Sequence, residues 1–110
     1  MPFGLSDKTI NTLQQVFTNY AEIEHVILYG SRAKGTYHTG SDIDITLIAP
    51  TMSFERLLNL ELAIDDLLLP YKMDISLFHK LKDPSLLEHI SRVGKIFYEN
   101  NHQNIIIVNS

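Results

Sequence analysis

The chain has 110 residues, of which 45% are hydrophobic and 20% are charged, and its formal net charge is −4. These values indicate one globular domain, and the acidic balance argues against broad electrostatic capture of nucleic acid or of an anionic membrane. The lack of cysteine excludes disulfides and thiolate metal sites. With no signal-peptide pattern and no apolar run near the ~20 residues that span a bilayer, we expect a cytoplasmic protein.

Hydrophobic spacing and capping residues predict three helices and four strands. Helices are indicated where apolar residues recur every three or four positions behind a capping residue, and strands where short β-rich runs end at glycine or proline. In chain order the predictions are a helix over 7–21, strands over 25–30 and 42–50, a helix over 53–68, a strand over 72–78, a helix over 83–93 and a strand over 95–99. The order α-β-β-α-β-α-β predicts an α/β (α+β) domain at 1–99, a small mixed β-sheet with helices packed on one face, and a tail at 100–110.

The segment between the first two predicted strands, YGSRAKGTYHTGSDIDITL at 29–47, joins a glycine loop to two aspartates. Asp42 and Asp44 lie two positions apart on a predicted strand, so their side chains project from the same face. Two carboxylates about 4 Å apart repel by about 4 kcal/mol at an effective dielectric constant of 20, so the pair needs a cation, a proton or water. Oxygen ligands without thiolates indicate Mg²⁺, with Mn²⁺ as a substitute.

A third carboxylate would complete such a site, and Asp74 on the third predicted strand is the natural candidate. Three carboxylates can hold two metal ions about 3.5–4 Å apart, which clamps the attacking and leaving oxygens of a phosphoryl displacement. The alternative is that Asp74 only pairs with Lys72 or Arg32. Because Asp42 and Asp44 need a further ligand, we predict catalytic and metal-binding roles for all three aspartates.

Gly30 and Ser31 fit the phosphate-binding half of the same reaction. A glycine at the end of a strand lets the backbone approach a phosphate closely, and a helical turn after Ser31 would point free N–H groups at the anion. Arg32 or Lys34 could add positive charge there, and Ser41 belongs to the same pattern. We therefore predict Gly30, Ser31, Arg32 and Ser41 as nucleotide-binding residues.

The pair Gly30-Ser31, followed after ten residues by Asp42-x-Asp44, resembles the signature of the DNA polymerase β-like nucleotidyltransferase superfamily. The short chain, the form GSRAKG and the ending GKIFYE are similar to the minimal nucleotidyltransferases, the MNT or MntA-type antitoxins. The resemblance spans residues 8–99. It implies that Asp42 and Asp44 bind Mg²⁺ and the triphosphate of ATP, and that Asp74 helps to hold the acceptor-side metal and acts as, or assists, the general base.

The same resemblance implies a reaction and a partner. An acceptor hydroxyl would attack the α-phosphorus and pyrophosphate would leave; in MNT antitoxins the acceptor is a tyrosine of a HEPN-domain RNase toxin, which adenylylation silences. We expect a hetero-oligomer with such a toxin, since the sequence shows no further acceptor-binding domain. Two alternatives stay open: a module that neutralises its toxin by contact with weak or no catalysis, and a nucleotidyltransferase that acts on a small molecule or RNA.

Two apolar segments lie outside this site. The predicted helix over 53–68 carries a core stripe at helical spacing, Leu57, Leu60, Ile64, Leu67 and Leu68, which is widened by Phe54, Leu58, Leu62 and Leu69. We expect a broad face packed under the sheet, with a partner or homodimer patch as the alternative. The uncharged run NIIIV at 104–108 could add an edge strand, cover an apolar patch or contact a partner.

Overall fold

The computed structural model describes residues 1–100. Within this part of the chain, a four-stranded sheet is surrounded by four α-helices and two short 3-10 turns. The helices are α1 (Asp7–Phe17), α2 (Gly30–Lys34), α3 (Phe54–Asp65) and α4 (Pro84–Val93). The strands are β1 (His25–Tyr29), β2 (Ile43–Ile48), β3 (Met73–Leu77) and β4 (Lys95–Glu99).

The sheet is mixed, as the sequence predicts. Its strand order is β3-β2-β1-β4, in which β1 is antiparallel to both of its neighbours and β2 is parallel to β3. A parallel pair needs a crossover connection, and α3 supplies it between β2 and β3. The two central strands, β1 and β2, are joined by α2 and the loop that follows it. The glycine loop therefore lies at the edge of the sheet where β1 ends and β2 begins.

One face of the sheet forms the hydrophobic core with α1 and α3. Strand alternation sends every second side chain of β1 and β2 to this face, where the helices cover it. The main core residues are Leu13 and Phe17 of α1, Val26 and Leu28 of β1, Ile43, Ile45 and Leu47 of β2, and Leu57, Leu60 and Ile64 of α3. The same alternation directs the polar residues of β2 and β3 to the opposite face.

Helix α4 departs from the prediction that the helices cover one face. It contacts β1 from the side opposite the core, where Gly94 lies against the Ile27 side chain and His89 reaches Gly30. The sequence order alone does not tell on which side a helix returns to the sheet. As a result, the polar face of the sheet is bordered by a helix that carries a histidine.

Helices α1 and α3 begin where the sequence predicts and end earlier. The hydroxyl oxygens of Ser6 and Ser53 cap their first turns by accepting backbone N–H groups. Helix α1 ends at Phe17, where the chain continues in tight turns, and α3 ends at Asp65. Three residues after Asp65, Leu68 has a φ angle of +55°, which is incompatible with a continuing right-handed helix.

The broad buried face expected for α3 is only partly present. Leu57, Leu60 and Ile64 are buried as predicted, whereas Leu68, predicted in the same core stripe, lies beyond the end of α3 and is exposed. By contrast, three side chains at intervals of four residues remain on the surface, with exposed fractions of 70%, 43% and 65%; these residues, Phe54, Leu58 and Leu62, are called the α3 stripe below. A single helix presents only one side to the sheet, so an apolar set this wide cannot all be buried by it.

Two predictions fall on the end of the chain. The run at 104–108 lies outside the described residues, and so does most of the predicted tail at 100–110, so the boundary near residue 99 stays a prediction. Among residues 1–100, no helix is long and apolar enough to cross a membrane.

Candidate active site

The parallel pairing of β2 and β3 brings two of the three predicted carboxylates side by side. Asp44 lies directly opposite Asp74 in the register of the two strands, and neighbouring strands are about 4.8 Å apart. Ile43 and Ile45, the neighbours of Asp44 in the chain, are buried in the core, so Asp44 belongs to the opposite face. Asp42 precedes β2 by one residue and is near enough to act electrostatically on Asp44.

The electrostatics of Asp44 reflect this crowding. Partial burial raises the pKa of the Asp44 carboxyl, and the negative charges of Asp74 and then Asp42 raise it further. His89 lies near enough to act on the same pKa in the opposite direction. The protein thus holds like charges together at a cost that a bound cation would offset.

The three aspartates lie near one another but do not by themselves form a complete set of metal ligands. Within residues 1–100, no three His, Asp or Glu side chains are gathered tightly enough to enclose an ion. The donor set nevertheless fits Mg²⁺, because the aspartates offer only carboxylate oxygens and Mg²⁺ normally completes its shell with water and substrate phosphates. The mutual repulsion at Asp44 also fits a site that needs a cation.

Gly30 borders the carboxylates on the β1 side, and its lack of a side chain is required there. Its φ angle of +72° lies in the left-handed region that favours glycine. A Cβ atom on Gly30 would overlap the Oδ2 atom of Asp44. The backbone N–H of Gly30 donates a hydrogen bond to Nε2 of His89 at 3.1 Å. The carboxylate of Asp44, the Gly30 backbone and the His89 ring therefore meet at one point.

Ser31 follows in α2, which confirms the helical turn predicted at this place. Its carbonyl oxygen accepts the N–H groups of Gly35 and Thr36, which closes the short helix. Its half-buried hydroxyl makes no hydrogen bond within the described part of the chain. Ser31 is thus placed beside Gly30 with a side chain that is partly exposed.

The structure buries Arg32 and engages its side chain within the protein, so its nucleotide-binding role stays a prediction. Arg32 is only 3% exposed. Its Nε and Nη2 atoms donate to the Ser41 carbonyl oxygen at 3.1 and 2.8 Å, and its Nη1 atom donates to the Phe3 carbonyl oxygen at 2.8 Å. The Tyr71 ring lies 4.9 Å from the guanidinium carbon. Arg32 therefore ties the loop to the N-terminal turn instead of facing the site.

Ser41 also serves the loop. Its hydroxyl oxygen accepts the backbone N–H of His38 at 2.9 Å, and its side chain is buried. The predicted nucleotide contact of Ser41 has no support in this geometry, because both its hydroxyl and its carbonyl are engaged within the loop. Its effect on the site is to fix the chain just before Asp42.

Sequence reasoning missed two residues of this face. Tyr29 is buried next to the carboxylates, and its pKa is raised by burial and then by the charges of Asp74 and Asp44, so the phenol stays protonated. His89 packs edge-on against the Tyr29 ring, with ring centroids 6.1 Å apart. Tyr29 directly precedes Gly30, and this position could have identified it as a site residue. His89 is 59 positions from Gly30, so nothing in the sequence connected it with the site.

A small mixed sheet whose polar face pairs carboxylates beside a Gly-Ser turn is the arrangement of a nucleotidyltransferase. The family model described as "Polymerase beta, Nucleotidyltransferase" matches residues 11–103. The chain belongs to this family. No curated protein matches the chain.

Solved structures support the fold assignment. A chain from a toxin–antitoxin complex with AMP-PNP is 22% identical, with a TM-score of 0.64 over 93% of this chain and 80% of that one. A complex of a tri-AMPylated Shewanella oneidensis HEPN toxin with MNT antitoxin gives 16% identity and a TM-score of 0.63, over 93% and 79% of the two chains. A proposed nucleotidyltransferase from Sulfolobus solfataricus is 20% identical, with a TM-score of 0.54 over 86% of this chain and 79% of that one. At these identities the likeness shows the fold.

Proposed function

We propose that this protein is a Mg²⁺-dependent nucleotidyltransferase that transfers AMP from ATP to a protein hydroxyl. We further propose that it is the antitoxin of a HEPN/MNT pair and that the acceptor is a tyrosine of its toxin. The single observation that carries the proposal is the register of Asp44 opposite Asp74, beside Gly30. Similarity to an MNT antitoxin in complex with an AMPylated HEPN toxin supports the choice of partner.

The proposed reaction is an in-line displacement at the α-phosphorus of ATP. The acceptor oxygen forms a bond to this phosphorus, the bond to the bridging oxygen of the β-phosphate breaks, and pyrophosphate leaves. Asp74 accepts the proton of the acceptor hydroxyl. Its exposed position at the rim of the face supports this role, since an acceptor from another protein can reach it, while Asp44 is half-buried.

The metal and the phosphates would be held from two sides. Asp42, Asp44 and Asp74 would hold Mg²⁺, which when bound neutralises charge on the phosphates and favours attack at phosphorus. The Gly30 backbone and the Ser31 hydroxyl would hold the β- and γ-phosphates. The raised pKa of Asp44 supports this assignment, because the crowded carboxylates have a reason to bind a cation. Our proposal includes a cytoplasmic location, in line with a chain that lacks cysteine.

Label transfer tests this function. The purified protein is incubated with ATP labelled at the α-phosphate, Mg²⁺ and the toxin encoded beside its gene. We expect label on the toxin, and its loss in Asp42→Ala and in Asp44→Ala. Asp66→Ala, at an exposed aspartate just after α3, is the matched control and should transfer label normally. Equal transfer by the wild type and both site variants would reject the proposal.

A second candidate function is neutralisation of the toxin by contact alone. The α3 stripe favours it, because three large apolar side chains in a row on a helix are of the kind found at protein interfaces. In this case Asp44→Ala still protects against the toxin, whereas Leu62→Asp weakens the complex and loses protection. Protection that depends on Asp44 and ATP supports catalysis instead.

A further inference from the structure

His89 accepts a hydrogen bond from the first backbone N–H of the glycine turn. Its Nε2 atom accepts the N–H of Gly30 at 3.1 Å. An N–H group can only donate, so the neutral imidazole in this arrangement carries its own proton on Nδ1. Within the described residues, this hydrogen bond is the one that joins a side chain of α4 to the Gly30 backbone.

The position of the ring is fixed by its surroundings. His89 is half-buried and packs edge-on against Tyr29 at an interplanar angle of 80°. The Asp44 carboxylate lies on the other side of Gly30, where it fills the space that a side chain would need. Any anion that approaches the Gly30 N–H must therefore come close to the imidazole Nε2 atom, which lies within hydrogen-bond distance of the same nitrogen.

The Gly30 N–H cannot serve both partners at full strength. A phosphate oxygen is an anionic acceptor, and hydrogen bonds with an ionised acceptor are roughly twice as strong as neutral ones. A phosphate would therefore displace the imidazole from this donor. The displaced Nε2 lone pair would then face an anion, which is unfavourable unless the ring turns its N–H toward it. In its other neutral tautomer, with the proton on Nε2, the ring is a donor to that same phosphate.

We propose that His89 is a nucleotide-contacting residue that exchanges partners: it holds the Gly30 N–H in the free protein and donates from Nε2 to a phosphate of the bound nucleoside triphosphate. This inference rests on the proposed nucleotidyl-transfer function. It assigns to α4 a role in substrate binding, in addition to its packing against β1. The exchange also keeps the Gly30 N–H paired whether or not nucleotide is present.

The exchange can be observed without any substitution. In ¹⁵N-labelled wild-type protein, NMR should detect scalar coupling across the hydrogen bond from the Gly30 nitrogen to the His89 Nε2 nitrogen. Saturation with α,β-methylene-ATP and Mg²⁺ should remove this coupling and shift both nitrogen resonances. The analogue is used because the bond that transfer would break is replaced in it, so the complex persists.

Variants supply the second readout. Calorimetric titration with the same analogue should give a Kd roughly three- to tenfold weaker in His89→Ala, the loss expected for one hydrogen bond. His89→Gln can accept from Gly30 through Oε1 and donate through Nε2, so it should stay within about twofold of the wild type. His79→Ala, at an exposed histidine beyond the far end of β3, is the matched control and should not change Kd.

The outcomes separate this inference from the function on which it rests. Binding with the coupling intact, or an unchanged or tighter Kd in folded His89→Ala, overturns the role of His89 and leaves nucleotidyl transfer standing. A wild-type protein that binds no analogue overturns both. Three results together support the exchange. The coupling disappears when the wild type binds the analogue, His89→Ala binds the analogue more weakly than the wild type, and His89→Gln binds it with a Kd near the wild-type value. Should His89→Ala fail to fold, the coupling in the wild type still decides.

Discussion

Asp44 lies directly opposite Asp74 in the parallel pairing of β2 and β3, on the face of the sheet that the core does not use. Two strands that are 30 residues apart in the chain thus bring like charges into adjacent positions. Adjacent carboxylates destabilise a fold unless something binds between them, so this pairing points to a ligand.

Replacing Asp44 with asparagine should stabilise the metal-free protein while it abolishes transfer. The raised pKa means that the ionised carboxylate is less stable in the folded protein than in the unfolded chain, so its charge opposes folding, and asparagine removes that charge. We expect a rise in Tm of roughly 2–5 °C in EDTA, measured by thermal unfolding. The gain should shrink as the pH falls through the raised pKa of the folded protein and should be absent below 3.8, the ordinary value for this carboxyl, where the folded and unfolded wild type are both protonated.

Added Mg²⁺ gives the control for this variant. A ligand at ten times its Kd stabilises a protein by about 1.4 kcal/mol, so the wild type should gain Tm with Mg²⁺ and Asp44→Asn should gain much less. A variant that is less stable than the wild type in EDTA, or that responds equally to Mg²⁺, would contradict the idea of a crowded cation site.

Substitution of Gly30 by alanine should be far more harmful than the same change at Gly40. Both glycines have positive φ angles, +72° and +86°, so alanine meets the same kind of backbone strain at each. At Gly30 the new Cβ atom also overlaps Asp44 Oδ2, whereas nothing lies within 4 Å at Gly40. Backbone strain of this type costs about 1–3 kcal/mol. Urea unfolding and label transfer should show a larger loss of both stability and activity for Gly30→Ala, and equal losses at the two positions would argue against the Asp44 contact.

The Glu22–Arg56 pair should stabilise the fold at neutral pH and not at low pH. The Arg56 side chain donates two hydrogen bonds to the Glu22 carboxylate, at 2.7 and 3.1 Å, and these lower the pKa of Glu22 below its ordinary value of 4.5. A carboxyl with a lowered pKa contributes stability above 4.5, and this stability is lost as the pH falls through the folded pKa. Glu22→Gln should therefore reduce Tm at pH 7 and have little effect near pH 2. Glu55→Gln, at an exposed glutamate nearby in α3, should change Tm little at either pH.

Arg32 should prove to be a stability residue. Its three guanidinium nitrogens serve buried carbonyl oxygens, and hydrogen bonds that involve a charged group are worth about 1.5–3 kcal/mol each. Arg32→Met should lower the free energy of unfolding by about 2–4 kcal/mol in denaturant titrations. Lys34→Met, at an exposed lysine of the same short helix, should change it by less than about 0.5 kcal/mol. If Arg32→Met folded normally and lost only nucleotide affinity, the result would support the predicted nucleotide-binding role of Arg32 instead.

The convergence of the aspartates was predictable from sequence for a definite physical reason. Asp42 and Asp44 share a face because a strand alternates, and an intervening helix favours a parallel neighbour for the strand that follows. Asp74 therefore had a good chance of lying next to Asp44, and the register confirms that pairing. The mixed sheet and the helix caps followed from equally local signals.

The roles of Arg32 and His89 could not be predicted from strand alternation and the order of elements in the sequence. The pattern shows that Arg32 carries a charge beside the glycine turn, and it does not show that the carbonyl groups of Phe3 and Ser41 surround that charge. His89 reaches Gly30 only because α4 returns to β1 from the side opposite the core. Such contacts depend on how distant elements pack, which neither spacing nor composition encodes.

The width of the buried face of α3 was also misjudged. Apolar spacing identified Leu57, Leu60 and Ile64 correctly as core residues, but it assigned the α3 stripe to the same buried surface. Hydrophobicity alone does not distinguish a residue that packs in the core from one that contacts a partner. The exposed stripe is visible only once the helix has been placed on the sheet.

Anomalous diffraction from crystals grown with Mn²⁺ and α,β-methylene-ATP tests the central claim most directly. The account predicts a Mn²⁺ signal bonded directly to carboxylate oxygens of Asp42 and Asp44, with the Asp74 carboxylate bordering the same site and the phosphates next to Gly30 and Ser31. A nucleotide bound elsewhere, or Mn²⁺ bound at other acidic residues while this face stays empty, would contradict it.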